Sequence, residues 1–168
     1  MSKKLILHDL LPNEFEAIAP ALTAEYTIFP ANPIIQPCVG CFGCWIKTPG
    51  ECVINDRGKG FTALMSKHDE LVVISRLVFG GFSPSIKAVI DRSIGFVLPF
   101  FHLVKKEMHH PRRYCGELAL RCVFYGHDIT VREKEIAQKL VIANTLNMGT
   151  EKHTVEFYSS FDAIEVAR

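Results

Sequence analysis

The stretch ELVVISRLVF (70–79) is an almost unbroken apolar run bounded by polar residues and a glycine pair. A strand of that kind is covered on both faces, which places it in the middle of a parallel sheet. The sequence around it alternates between strand-like and helix-like patterns. KLILHD (4–9) reads as a strand, and LPNEFEAIAPALTA (11–24) has helical spacing with acidic residues in its first turn. EYTIFPA (25–31) is a second strand, and FTALMSKH (61–68) a short helix. SPSIKAVIDRSIGFVL (83–98) opens with Ser83 and Pro84 in the positions of an N-cap and first helical residue. ELALRCVFYG (117–126) follows as a strand, Thr130 caps the helix VREKEIAQKLVIANTLNMG, and HTVEFYS (153–159) is the last strand. Five strands separated by helices predict a doubly wound parallel sheet of the α/β class, which binds ligands beyond the carboxyl ends of its strands. HDLLPNE (8–14), RLVFGGF (76–82) and GHDIT (126–130) are the segments expected at that edge.

At 168 residues, with 48% hydrophobic and 22% charged residues, the chain has the make-up of one folded domain with a substantial core. The net charge of +1 gives no pull toward nucleic acid or anionic lipid, and HHPRRY (109–114) is only a basic patch, read as a solvated turn or a subunit contact. The start, MSKKLILHDLLP, reads as a buried strand with no cleavable leader, and no apolar run reaches membrane-spanning length. A cytoplasmic protein is expected, without nucleic-acid or membrane partners. IGFVLPFFHLV (94–104) has more large apolar residues than one helix face needs, which predicts a homo-oligomer interface or a lid over a ligand.

Between the second strand and the helix at 61 lies a loop of about twenty-five residues, a length that in compact domains marks function or disorder. Cys38, Cys41, Cys44 and Cys52 fall within it, in CVGCFGCWIKTPGEC. In a reducing cytosol clustered thiols favour metal binding or redox chemistry over structural disulfides. Three readings stand: a [4Fe–4S] cluster on four thiolates, a zinc site, or a loop of free cysteines. Trp45 would shield a bound group or anchor the loop. Cys115 and Cys122 read as packing residues.

PCVGCFGC…GECVINDRG followed by HDELVVISRLVFGGFSPSIKAVIDRS resembles the flavodoxin-like family of NAD(P)H-dependent FMN reductases and iron–sulfur flavoproteins. That family has a CxGCxxC…GxCxxxDD segment before a strand that runs into a G-x-x-S-x-x-[LI]-K-x-x-[IL]-D-R stretch. Gly80, Ser83, Lys87, Asp91 and Arg92 stand in register with it. The resemblance implies a flavodoxin-like three-layer αβα sandwich, one domain over 1–168, with a five-stranded parallel sheet in the order 2-1-3-4-5 and the cysteine-rich loop at about 32–58. It implies FMN lying along Arg76, Leu77, Val78, Phe79, Gly80, Gly81 and Phe82; Gly126, His127 and Asp128, just after the fourth strand at the same edge, are expected beside it from their position. It implies the four cysteines as ligands of a [4Fe–4S] cluster next to the flavin, and NAD(P)H as donor.

One departure stands out. Family members hold the FMN phosphate with a Gly-Ser-x-Arg loop after the first strand, whereas this chain has His8-Asp9-Leu10-Leu11-Pro12-Asn13-Glu14. Asp9 and Glu14 read there as caps of the following helix, and Lys87 and Arg92 as solvated helical charges without a catalytic role. The function expected is an FMN-binding oxidoreductase that exchanges electrons with a small molecule or an electron-carrier protein. The alternative is a flavodoxin-like module that has lost its cofactor.

Overall fold

The computed structural model describes residues 3–19 and 26–164. Five strands, β1 (Lys4–His8), β2 (Tyr26–Pro30), β3 (Glu70–Arg76), β6 (Ala119–Tyr125) and β7 (His153–Tyr158), form one parallel sheet in the order β2-β1-β3-β6-β7. In chain order these are the five expected strands, in the expected arrangement. Leu5, Ile6 and Leu7 of β1 and Leu71 through Ile74 of β3 are fully buried, as a strand covered on both faces requires.

Alternate side chains feed two cores. Leu5, Leu7, Leu71, Val73, Leu120, Cys122 and Phe124 meet α3 (Phe61–Met65), α4 (Pro84–Arg92) and α5 (Val131–Asn147) on one face. Ile6, Val72, Ile74 and Val123 meet Leu10, Ile18 of α1 (Pro12–Ile18) and Ile164 on the other. That split is the two-residue period of a strand expressed in packing. The second half of the expected first helix, and Glu25 of the expected second strand, lie outside the described residues. Among the described residues no helix is long and apolar enough to cross a membrane.

Two elements differ from expectation. The cysteine loop contains a short helix, α2 (Gly43–Ile46). After α4 the chain makes a 3-10 turn over Ser93–Phe96 and then an antiparallel hairpin, β4 (His102–Val104) with β5 (Glu107–His109). Lys105 and Lys106 form its two-residue turn with φ of 50° and 73°. Left-handed geometry at both positions is usually announced by Asn or Gly, so a Lys-Lys pair gives no warning of a hairpin.

Candidate functional site

An open cleft of about 1000 Å³ lies at the carboxyl ends of β1, β3, β6 and β7. Asp9, next after β1, is its node. Asp9 Oδ2 accepts the Arg76 N–H at 2.9 Å, and Oδ1 accepts the Tyr125 hydroxyl at 3.0 Å. The Ser83 hydroxyl also hydrogen-bonds this carboxyl. One side chain therefore ties together the ends of three strands and the start of α4. Burial pushes the Asp9 pKa up, while the bonds from Ser83, Arg76 and Tyr125 pull it back. Burial, with the Asp9 charge beside it, raises the Tyr125 phenol well above its ordinary value.

Ser75 is wholly buried and makes the second tie. Its hydroxyl accepts the Ser83 N–H at 2.9 Å and donates to the Arg76 carbonyl at 2.9 Å. Ser83 in turn caps α4, accepting the Ile86 N–H. The cleft floor is thus pre-set by short polar bonds at the ends of the strands, while Leu11, Leu77, Val78 and Phe161 give it apolar walls.

Of the residues expected to hold FMN, Arg76, Leu77, Val78, Gly126 and His127 line this cleft. The rest lie elsewhere. Val78 and Gly81 exchange backbone hydrogen bonds across a tight turn whose tip points outward, leaving Phe79 91% exposed. Gly80, at φ 78°, packs so closely on α5 that an added Cβ would come within 2.8 Å of Ile136. Phe82 is buried in the core, stacked on Phe124 at 5.3 Å. Asp128 is exposed, at φ 58°.

Several lining residues escaped the sequence reading: Asn32, Ser83, Tyr125, Ser159 and Ser160. Ser159 and Ser160 follow the fifth strand directly, so the rule that sends ligands to strand ends already pointed to them. Asp9 was expected to cap α1 and does not; it spans the strand ends instead. Glu14 does fill the capping role, its carboxylate accepting the Leu11 N–H at 2.7 Å.

The cysteine loop forms a separate site. Cys38, Cys41, Cys44 and Cys52 all line one small cavity of about 50 Å³, with Arg92 and Ile94 from the α4 end. Cys38 and Cys41 are exposed, Cys44 and Cys52 buried, and all six cysteines are free thiols. Burial, then the nearby Cys52 thiol, raises the Cys44 pKa. Among the described residues no three His, Cys, Asp or Glu side chains converge closely enough to hold a single metal ion.

Arg92 is not a solvated helical charge. Its side chain is 1% exposed, and it donates to Asp56 at 2.6 Å, to the Gln36 and Ile54 carbonyls at 3.1 Å each, and to Cys52 Sγ at 3.3 Å. That guanidinium holds the Asp56 carboxyl below its ordinary pKa. Lys87, by contrast, is the solvated helical charge that was expected, and it pairs with Asp91 on the exposed face.

Trp45 anchors the loop, donating to the Val97 and Ile94 carbonyls at 3.0 and 3.2 Å. His110 lies against Trp45 on one side and Phe101 on the other, with ring centroids 4.9 and 4.6 Å away. In the segment 109–114, expected as a solvated turn or a subunit contact, His110 thus packs against the cysteine loop.

The two sites share no lining residue. Ser83–Ser85 at the start of α4 face the cleft, and Arg92 at its end faces the thiols. Nine residues of helix span roughly 13 Å. The thiols thus lie at the far end of α4 from the cleft, not next to it as the resemblance implies.

No protein-family model matches the chain. It is similar to an iron–sulfur flavoprotein of Methanocaldococcus jannaschii, 36% identical over 72 residues, which cover 40% of this chain and 36% of that relative. The match thus spans little more than a third of the curated relative's length. Among solved structures, the NAD(P)H:quinone oxidoreductase of Methanothermobacter marburgensis superposes with a TM-score of 0.58 at 16% identity, over 94% of this chain and 86% of that one. An FMN-dependent NADH-azoreductase of Bacillus anthracis, solved with FMN, gives 0.52 at 12% identity, over 94% and 86%. The chain has the flavodoxin-like α/β fold, and its resemblance to flavodoxin-like reductases and iron–sulfur flavoproteins is borne out by both its fold and its sequence.

Proposed function

We propose that the chain is a flavin-dependent oxidoreductase whose cleft at the strand ends holds the isoalloxazine ring. The observation that carries this reading is the cleft itself, at the edge where parallel sheets bind ligands and walled by Leu77, Val78 and Phe161 around a polar floor. A bound flavin supplies hydride acceptance from NAD(P)H and reduction of an acceptor; the protein supplies position and electrostatics. Arg76 and His127 stand at the rim as the cationic and titratable groups a donor or acceptor would meet. Leu11 and Phe161 exclude water from the ring. A flavin and NAD(P)H belong to this proposal because the azoreductase is FMN-dependent and the quinone oxidoreductase uses NAD(P)H. The acceptor is a small quinone-like molecule or an electron-carrier protein. Six free thiols suit a cytoplasmic setting.

A [4Fe–4S] cluster on Cys38, Cys41, Cys44 and Cys52 is the second part of the proposal. The donor set fits: four soft sulfurs around one cavity, with Arg92 at its wall to offset thiolate charge. A cluster distributes its ligands around several irons and asks for less convergence than one ion does. The far end of α4 puts such a centre in position to pass electrons outward to a carrier.

Purification under anaerobic conditions tests both parts. Oxidised flavin bands in the visible spectrum, bleached by NAD(P)H, are expected, with iron and acid-labile sulfide in equal amounts. A colourless protein that binds no added flavin would overturn the oxidoreductase reading and favour a cofactor-free binding module. Asp9, a carboxyl where relatives of this kind hold a phosphate, is what favours that second reading.

A further inference from the structure

We infer that the cleft selects an unphosphorylated flavin nucleoside over FMN, with Asp9 as the discriminating residue. This inference rests on the flavin reading above and deepens it.

A phosphate dianion is held by backbone N–H groups, hydroxyls and guanidinium or ammonium groups. The loop after β1 has few of these to offer. The Asp9 N–H donates to the Ile74 carbonyl at 3.2 Å, the Leu11 N–H is taken by Glu14, and Pro12 has no N–H. Leu10, Asn13 and Glu14 keep free N–H groups there, but the Glu14 carboxylate, bonded to the Leu11 N–H, already brings a negative charge to that turn. The start of α4, the other helix end on the cleft, keeps one free N–H, that of Ser85. Ser83 caps the Ile86 N–H, Pro84 has no N–H, and the Lys87 N–H returns to the Ser83 carbonyl.

Charge points the same way. Asp9, Glu14 and Asp162 line the cleft, against one guanidinium, Arg76, and the imidazole of His127. Arg76 is exposed, and its backbone N–H is already bound to Asp9. Asp9 cannot swing aside, because Arg76, Tyr125 and Ser83 hold its two oxygens and the Asn32 amide donates to its backbone carbonyl. A carboxylate fixed this firmly repels a dianion but not a hydroxyl. Glu14, with one oxygen committed to Leu11, has the other to offer. The cleft is furnished for the ribityl chain and not for its phosphate.

The test is a comparison of ligands on the full chain stripped of bound flavin, read by quenching of flavin fluorescence. Riboflavin is expected to bind more tightly than FMN, by roughly tenfold for one like-charge contact at the edge of the protein. Asp9→Asn keeps the volume and an acceptor for the Arg76 N–H but removes the charge, and it is expected to narrow that ratio. Because the readout is a ratio within one protein, a general loss of affinity in the variant cancels. FMN binding as tightly as riboflavin, or more tightly, overturns the inference and leaves the flavin reading standing. An unchanged ratio in Asp9→Asn overturns the role of Asp9. If neither flavin binds, the flavin reading falls and this inference with it.

Discussion

His8 is the last residue of β1 and is 3% exposed, stacked on Phe15 with ring centroids 4.3 Å apart. Its Nδ1 has no hydrogen-bond partner among the described residues. A buried ring with an unsatisfied nitrogen resists protonation, and burial lowers its pKa from 6.5 to about 4. The sign for stability follows from where the proton goes. Between pH 6.5 and 4 the unfolded chain binds a proton that the folded chain refuses. Stability is therefore full above the unfolded pKa and declines as pH falls toward 4. Integrated over that window the loss is about 3 kcal/mol. Urea unfolding of wild type and His8→Leu at pH 7 and pH 4 measures it, and wild type should lose about 3 kcal/mol more than the variant across the interval. The raised pKa of Asp9 works the other way, relieving strain as pH falls, but it is common to both proteins and drops out of the difference. Equal losses in the two proteins would remove the assignment to His8.

At the scale of elements, α4 joins the two sites, and Arg92 is what fastens the cysteine loop to it. Losing the guanidinium strands Asp56 and leaves two carbonyls and Cys52 Sγ without their donor. Removing one partner of a buried pair is costly, and because Asp56 still reaches solvent the expectation for Arg92→Met is about 3 kcal/mol, at the lower end of that class. Lys87→Met, on the exposed face of the same helix, should stay within about 0.5 kcal/mol of wild type. Native-state reaction with a thiol reagent gives a second readout. Cys44 and Cys52 should become reactive in Arg92→Met while Cys38 and Cys41 react in both proteins. An Arg92→Met protein as stable as wild type would show that Trp45 and the residues packed on it suffice to hold the loop. This helix also shows what the sequence could and could not disclose. Ser83, Pro84 and the amphipathic run to Arg92 announced it, because capping and periodicity are local. That its final arginine turns inward was not announced, since the groups it satisfies come from Gln36, Ile54 and Asp56, far back in the chain. Asp9 escaped for the same reason: its partners arrive from β3, β6 and α4, and only the assembled sheet brings them together.

For the whole molecule, the parallel sheet was legible in the alternation of strand and helix patterns, and its order in the family resemblance. The hairpin was not, and together with the two phenylalanines before it, it carries large exposed apolar side chains. Phe100, Phe101, Leu103 and Met108 are 65 to 74% exposed. Leu103 and Met108 are cross-strand partners, so they project from one face of the hairpin. The hairpin is also held against the body: Lys105 at its tip pairs with Glu151 at 2.7 Å, and His109 reaches Asn147 of α5 at 3.1 Å. A pinned hairpin presenting four large apolar side chains loses little freedom on docking, and each side chain fully buried contributes about 1.5–3 kcal/mol. The homo-oligomer expected from the sequence would use this face, a second copy of the chain pairing with it about a two-fold axis. Light scattering on the eluting protein should therefore give a dimer or larger for wild type and a monomer for Leu103→Asp combined with Met108→Lys. Both substitutions are on the exposed face, so the far-UV circular dichroism should be unchanged. A wild-type chain that elutes as a monomer at tens of micromolar, on the order of the concentrations at which weak interfaces assemble, would mean that this face serves something other than self-association.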